Sequence, residues 1–183
     1  CDRINAAKRP ERNLENIGSP REVYMEIERK FWLERFPEEY PEVKHLETDQ
    51  GYLAWSPVSV RIRQSHDLKT DLWTYILCIK SKGLLSRHEV ETPITKEQFA
   101  ELSSMLDRPL VHKDYHAYQM PDGNILECSE VDHGVFSYAE VEFSSEEEAN
   151  AWNPPSCLGK ELTYLSGFTM GSYYLNGKVP EIE

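Results

Sequence analysis

The stretch Met25-Glu26-Ile27-Glu28-Arg29-Lys30-Phe31 places Glu26, Glu28 and Lys30 at every second position, which is the period of a β-strand. Successive side chains of a β-strand point to opposite faces, so Glu26, Glu28 and Lys30 share one face of such a strand. Same-face neighbours lie about 6.6 Å apart, which lets two carboxylates address one metal ion while the lysine reaches the same anion. Alone, the pattern is more typical of a solvated strand edge or a helix start. The repetition of the pattern further along the chain favours a functional site.

The composition indicates a globular, acidic protein. A length of 183 residues suits one domain, and hydrophobic and aromatic contents of 39% and 11% exclude a disordered chain. A net charge of −12 argues against a general nucleic-acid binder. No segment approaches the roughly 20 apolar residues that span a bilayer, and the N-terminus lacks the apolar core of a signal peptide. We therefore expect a cytoplasmic protein that binds neither nucleic acid nor membrane.

Two other residue classes carry little functional signal. The four cysteines are widely spaced and form no C-x-x-C pair, so we expect reduced thiols. We expect the six histidines to be surface or hydrogen-bonded rings rather than metal ligands. Residues 1–24 show little periodicity and are predicted to form a poorly ordered N-terminal tail, with residues 25–183 as a single domain that starts near Met25.

Further segments with alternating residues, or with the β-branched and aromatic content of a buried strand, predict six to eight strands, mostly antiparallel. Pro121-Asp122-Gly123 is a turn sequence that predicts a hairpin. The predicted strands are Gln50–Trp55, Val58–Gln64, Leu72–Lys80, Ser86–Ile94, Val111–Met120, Asn124–Val131 and Ser137–Phe143.

Two helices are predicted outside this sheet. Thr95 and Gln98 form a capping box at the start of an amphipathic helix that runs to Leu106. A second, acidic-started helix begins at Ser144 or Ser145 and runs to about Trp152. In the remaining tail, Gly167, Gly171 and Gly177 predict turns.

The charged faces of the strands carry same-face pairs and triples of both signs. If the sheet closes with these faces inward and the apolar faces outward under the helices, it encloses a polar tunnel, and about eight strands leave room for one small ligand. Buried charges of both signs need partners, and a polyanion that carries divalent metal satisfies both. A linear triphosphate fits this description. The sets are Glu26/Glu28/Lys30, Arg61/Arg63, Arg87/Glu89/Glu91 and Glu140/Glu142, with Lys80 and Lys113 in addition.

These motifs, in this order over about Met25 to Thr163, resemble the CYTH, or triphosphate tunnel metalloenzyme, superfamily, and bacterial inorganic tripolyphosphatases above all. The resemblance implies an α+β, mainly β fold: a closed eight-stranded antiparallel tunnel with a few helices outside. It implies divalent-metal-dependent hydrolysis of a triphosphate, most directly inorganic tripolyphosphate. Thiamine or nucleoside triphosphatase activity and ATP cyclisation are the enzymatic alternatives. The resemblance also allows a homodimer.

The resemblance assigns roles to the tunnel residues. Mg²⁺ or Mn²⁺ is the implied cofactor, and Lys30 with Glu89 and Glu91 are the implied catalytic residues, one glutamate completing the metal shell or orienting the water. The implied metal ligands are Glu26, Glu28, Glu140 and Glu142. The implied phosphate ligands are Lys30, Arg61, Arg63, Lys80, Arg87 and Lys113.

The chain departs from the family pattern at three places. Tyr115 stands where many members have an arginine, Ser129 stands where members usually have an aspartate, and the C-terminal Asp-x-Arg-Tyr-x-Asn segment is not recognisable in Tyr164 to Tyr173. These departures affect turnover more than binding, and they favour as an alternative a module that binds triphosphate or polyphosphate without turnover. Asp132, His116 or Glu130 could compensate for the groups that are absent at these places.

Overall fold

The computed structural model describes residues 24–165 and 167–179; the predicted tail lies outside this range, apart from the backbone of Tyr24. No helix within these residues has the length and apolar character needed to cross a membrane. The cytoplasmic location and the homodimer stay predictions. The strands are β1 (Tyr24–Leu33), β2 (Glu42–Ala54), β3 (Ser59–Asp67), β4 (Leu72–Lys80), β5 (Ser86–Pro93), β6 (Val111–Gln119), β7 (Ile125–Val131), β8 (Phe136–Glu142) and β9 (Leu158–Glu161), and the helices are α1 (Lys96–Ser104), α2 (Glu146–Ala151) and α3 (Met170–Asn176).

Eight antiparallel strands close into a tunnel. They follow one another in the order β5-β4-β3-β2-β6-β7-β8-β1, and β1 pairs with β5 to complete the ring. The opening stretch makes this closure, because Tyr24–Ile27 pair with β5 and Glu28–Trp32 pair with β8. The short strand β9 adds to the end of β1. The predicted closed eight-stranded fold is confirmed.

The helices cover apolar outer faces of the tunnel, as predicted. Helix α1 begins at the expected Thr95–Gln98 capping box, and its buried Phe99 contacts Tyr75 of β4 with ring centroids 5.6 Å apart. Helix α2 is capped by Ser145, and its Ala149 packs in a core cluster with Val141 of β8. Apolar side chains thus lie between the sheet and the helices, which leaves the inner face to charged residues.

Three elements differ from the sequence prediction. Strand β2 begins at Glu42 instead of Gln50, because its first half is mostly polar and exposed and carries no apolar alternation. Strand β9 and helix α3 were not predicted. Gly171 lies inside α3 and not in a turn, whereas Gly167 and Gly177 have the positive φ angles, 85° and 69°, that fit the predicted turns.

Helix α3 and the segment before it pack across one end of the tunnel. Phe168, Tyr173 and Tyr174 form a buried cluster with Phe136 and Tyr138 of β8. The Phe136 and Tyr173 rings meet edge to face with centroids 5.0 Å apart. These buried rings give that end of the tunnel an apolar surface.

Candidate active site

Alternation along each strand carries the predicted charged residues into the tunnel. Opposite partners in the register include Glu26 with Arg87, Glu28 with Glu142 and Lys30 with Glu140. Lys80 stands opposite Glu89 on β4 and β5. The tunnel wall therefore brings together the acidic and basic sets that are widely separated in the sequence.

Glu26 and Glu28 are held by basic side chains. Both glutamates are 7% exposed. The Arg87 guanidinium joins them, with Nε 2.6 Å from Glu26 Oε2 and Nη2 2.7 Å from Glu28 Oε1, and Lys80 Nζ lies 2.7 Å from Glu26 Oε1. Burial alone would raise the pKa of Glu26, but Lys80 and Arg87 outweigh it and hold that pKa well below its usual range. Glu26 is therefore ionised at neutral pH.

Lys30 lies between the carboxylates of β1 and β8. Its Nζ is 2.8 Å from Glu140 Oε1 and 3.6 Å from Glu28 Oε1. Burial would lower the pKa of Lys30, but Glu140 and Glu28 raise it above its usual value, so the ammonium stays charged. Glu142 stands opposite Glu28 in the register and adds a further carboxylate to the neighbouring strand β8.

Glu89 is a buried carboxylate of a different character. It is 2% exposed, and burial raises its pKa to about 7, against the opposing effect of Lys80. The Cys78 thiol donates to Glu89 Oε1 at 3.1 Å, and Lys80 Nζ lies 3.5 Å from Glu89 Oε2. Ligand atoms of Cys78, Glu89 and Glu91 also lie within 4.8 Å of one another. A carboxylate with this pKa can both accept and release a proton near neutral pH.

The two arginines of β3 face Glu91. Arg61 Nη2 and Arg63 Nη2 lie 3.4 and 3.6 Å from Glu91 Oε1, which are long contacts for an arginine–carboxylate pair. Within the described residues, the buried Nε–H of Arg61 has no hydrogen-bond acceptor. Buried donors are nearly always satisfied, so this one indicates a missing acceptor inside the tunnel.

Lys113 lies deep in the wall and has an altered pKa. It is 6% exposed, and its Nζ donates to the Tyr138 hydroxyl at 2.8 Å. Burial lowers its pKa to about 7, against the opposing effect of Glu140. An anion beside this ammonium would favour its charged form.

Two of the departures from the family pattern meet at one point in the wall. Tyr115 and Ser129 are direct partners in the β6–β7 register. The Tyr115 side chain hydrogen-bonds Glu127, and the Ser129 side chain hydrogen-bonds Tyr138. The two positions at which the resemblance implies a cation and an anion therefore lie side by side and carry neutral side chains here.

Asp132, His116 and Glu130, which were suggested to replace the charged groups absent at Tyr115 and Ser129, do not lie in the tunnel. His116 and Glu130 alternate with the inward Tyr115 and Ser129, so they face outward. Asp132 accepts hydrogen bonds from the His112 backbone and from the Tyr173 hydroxyl, 2.7 Å away, so it anchors α3. The suggestion that they replace the lost tunnel groups is therefore wrong.

Sequence reasoning missed the contribution of the C-terminal segment. A cavity of about 90 Å³ lies between this segment and Glu28, Lys30 and Arg87. Its wall includes Thr163, whose Oγ1 accepts from the Lys30 backbone N–H at 2.9 Å. The residues 162–169 carry no alternation or charged motif that would have revealed this position.

The four predicted metal ligands are separated by basic side chains. Among the described residues, no three of Glu26, Glu28, Glu140 and Glu142 bring ligand atoms within 4.8 Å of one another. Arg87 and Lys30 stand between them instead. Each of these basic residues is also a predicted phosphate ligand.

A closed antiparallel tunnel lined in this way defines the triphosphate tunnel, or CYTH, class of proteins. No protein-family profile matches the chain. The chain is 36% identical over 141 residues to the inorganic triphosphatase of Nitrosomonas europaea, a match that covers 75% of this chain and 89% of the relative. The chain therefore belongs to the inorganic triphosphatase family.

Solved structures agree with this assignment. The crystal structure of the inorganic triphosphatase NE1496 aligns with a TM-score of 0.58 and 28% identity, and covers 85% of this chain and 97% of that one. The PH1819 protein from Pyrococcus horikoshii OT3 aligns with a TM-score of 0.50 and 18% identity, over 68% of this chain and 82% of that one. The second likeness supports the fold alone.

Proposed function

We propose that this chain hydrolyses linear triphosphates, with inorganic tripolyphosphate as substrate, in a reaction that requires Mg²⁺ or Mn²⁺. The relative from Nitrosomonas europaea, an inorganic triphosphatase, supports the substrate class. The observation that carries the proposal is the buried Arg61 Nε–H, which has no acceptor among the described residues. Such a donor costs about 1–3 kcal/mol, and a phosphate oxygen would satisfy it.

The carboxylates on β1 and β8 fit a divalent metal. Glu26, Glu28, Glu140 and Glu142 offer only oxygen ligands, which hard cations such as Mg²⁺ prefer. When bound there, the cation would offset the negative charge of the phosphates and would lower the pKa of a water molecule. Without substrate, these carboxylates and the basic residues neutralise each other. A metal–triphosphate complex supplies a new partner for each sign of charge, which supports its binding here.

The basic residues bind and orient the triphosphate. Arginine forms paired hydrogen bonds to phosphate oxygens, and lysine adds a compact charge. Arg61, Arg63, Lys80, Arg87 and Lys113 extend along β3 to β6 and therefore contact successive phosphoryl groups. Binding in a tunnel with one aromatic end also limits competing water.

In the chemical step, a water oxygen forms a bond to the terminal phosphorus. The bond between that phosphorus and the bridging oxygen breaks, and its electron pair leaves with pyrophosphate. Glu89 accepts the proton of the water, because its raised pKa of about 7 suits a general base near neutral pH. Glu91 keeps Arg61 and Arg63 oriented. Lys30 neutralises charge on the leaving group.

Turnover is favoured over binding alone by the way the family departures are placed. Tyr115 and Ser129 face each other in the register, so the exchange removes one charge of each sign at the same place. Tyr115 also keeps a polar partner in Glu127.

The test is a panel of metals and substrates. We expect phosphate release from tripolyphosphate with Mg²⁺ or Mn²⁺, at least a hundredfold slower in Glu28→Ala and unchanged in the control Glu101→Ala, whose residue is exposed on α1. Thiamine triphosphate, GTP and ATP are compared in parallel, and cyclic AMP is measured in the ATP sample. No phosphate release with any metal would contradict the proposal, and micromolar calorimetric binding in that case would identify a binding module.

A further inference from the structure

A second group of metal-ligand side chains lies on the outer wall of the tunnel, where β2 pairs with β6. His45 and His116 are direct partners in the register. Their rings stack with centroids 4.0 Å apart and planes at 26°. Each lies three positions from a buried residue of its own strand, Thr48 and Lys113, that faces the interior, so both histidines face outward.

A register shift brings a carboxylate to the same place. The β2–β6 pairing shifts between Glu42 and Lys44, and such a shift turns the following residue to the other face. Glu42 Oε1 consequently lies 2.6 Å from His116 Nδ1, and Lys69 Nζ holds Glu42 Oε2 at 3.0 Å. Ligand atoms of Glu42, His45 and His116 all lie within 4.8 Å of one another.

We propose that Glu42, His45 and His116 bind a divalent transition-metal ion of the zinc class. Two imidazoles and one carboxylate are a ligand set that Zn²⁺ uses, with the remaining position open to water. Imidazole nitrogen selects such ions over Mg²⁺, which prefers oxygen, so this site differs in kind from the carboxylates of the tunnel.

The ligand atoms need modest adjustments: the 2.6 Å contact between Glu42 and His116 must lengthen, and the other separations, at most 4.8 Å, must shorten. Bonds of about 2.0–2.1 Å in a tetrahedral site leave neighbouring ligand atoms about 3.4 Å apart. The side chains of Glu42 and His45 are 32% and 28% exposed, so both can rotate toward His116, which is 16% exposed and packs against Phe36. The same exposure gives an ion in solution direct access.

A second carboxylate positions both rings. Asp114 Oδ1 lies 2.8 Å from His45 Nε2, and Asp114 Oδ2 lies 3.3 Å from His116 Nε2. Carboxylates beside ligating histidines fix ring orientation and increase ligand basicity. Asp114 is therefore a positioning residue at the Nε2 edge of both rings, and the metal would replace the hydrogen bond between His116 Nδ1 and Glu42 Oε1.

The site connects the exposed start of β2 to β6. The first three residues of β2 are exposed, and the strand depends there on polar cross-strand contacts. An ion held by Glu42, His45 and His116 would join two strands of the wall, and binding to the folded state alone would stabilise the fold. This inference does not depend on the proposed triphosphatase activity.

Cobalt titration of the full chain tests the site. Excess Mg²⁺ is present to occupy the carboxylates of the tunnel, and Co²⁺ is followed by calorimetry and by its visible absorption, which strengthens on tetrahedral coordination. We expect one Co²⁺ equivalent in the wild type, weakened more than about tenfold in His45→Gln, His116→Gln and Glu42→Gln. The matched control is His112→Gln, because His112 also lies on the outer face of β6 and pairs with Asp49 at 2.9 Å.

The outcomes separate cleanly. Loss of the equivalent in the three variants, with retention in His112→Gln, supports the site. Wild-type Co²⁺ binding in folded His45→Gln and Glu42→Gln would overturn it, and so would equal loss in His112→Gln. Circular dichroism checks folding, and the more exposed His45 and Glu42 carry the test if His116→Gln is unstable. We expect unchanged tripolyphosphate turnover in His45→Gln.

Discussion

Replacing Arg87 with methionine removes the cation that joins two buried carboxylates. The guanidinium lies 2.6 Å from Glu26 and 2.7 Å from Glu28, and its side chain is 17% exposed. Methionine keeps much of the aliphatic volume but offers no charge. The substitution therefore leaves Glu26 and Glu28 without the cation that offsets the repulsion between their carboxylates.

The magnitude follows from what remains. Removing one partner of a buried ion pair costs about 3–5 kcal/mol. Lys80 still holds Glu26 at 2.7 Å, and Lys30 lies 3.6 Å from Glu28, so part of the charge stays compensated. We therefore expect Arg87→Met to lower the free energy of unfolding by about 2–3 kcal/mol at pH 7.

Urea unfolding in the presence of EDTA measures this loss. The control Lys69→Met removes a 3.0 Å pair with Glu42 whose lysine is 40% exposed, and we expect it to cost less than about 1 kcal/mol. Adding Glu28→Gln to Arg87→Met should recover at least about 1 kcal/mol, because the two residues are in direct contact. A loss below that of the control, or strictly additive effects, would refute the reasoning. Arg87→Met should also bind Mg²⁺ more tightly, since Arg87 competes for the same carboxylates.

Two further predictions concern the tunnel lysine and the aromatic end. Burial lowers the pKa of Lys113 to about 7, and a bound polyanion raises it, so tripolyphosphate binding above pH 7 should take up about one proton more in wild type than in Lys113→Met. The affinity of the wild type for tripolyphosphate should also fall as the pH rises. Calorimetry in two buffers of different ionisation enthalpy measures the proton uptake, and equal uptake by the two proteins would contradict the prediction. A Cβ on Gly171 would overlap the Trp55 ring. Gly171→Ala should therefore lower the free energy of unfolding by about 1–3 kcal/mol, although alanine has the better helix propensity. An unchanged free energy of unfolding in a urea titration would contradict this packing.

The sequence was most informative where its pattern was local. A period of two is unambiguous when charged and apolar residues alternate, so Glu26, Glu28 and Lys30 indicated both the strand and its inner face. The same logic located β8, whereas β-branched and aromatic content located β4. The Thr95–Gln98 capping box predicted the start of α1, because a helix N-terminus depends on side chains within one turn.

The sequence was least informative where structure depends on distant partners. The start of β2 is held by contacts across to β6, and no apolar alternation marks it. Helix α3 depends on packing against Phe136 and Tyr138, far from it in the sequence. His45 and His116 meet only through strand register, so a search for local ligand spacing could not find them. The motifs likewise did not predict that Arg87 and Lys30 form ion pairs with the carboxylates of the tunnel.

The central claim is that the charged tunnel cleaves tripolyphosphate. Phosphorus NMR of tripolyphosphate incubated with the full chain and Mg²⁺ tests it most directly, because substrate and both products are seen together. The account predicts that pyrophosphate and phosphate appear in equal amounts, that EDTA stops the reaction, and that Glu28→Ala is inactive while Glu101→Ala is not. Unchanged tripolyphosphate signals in the presence of Mg²⁺, or equal rates in Glu28→Ala and Glu101→Ala, would contradict the central claim.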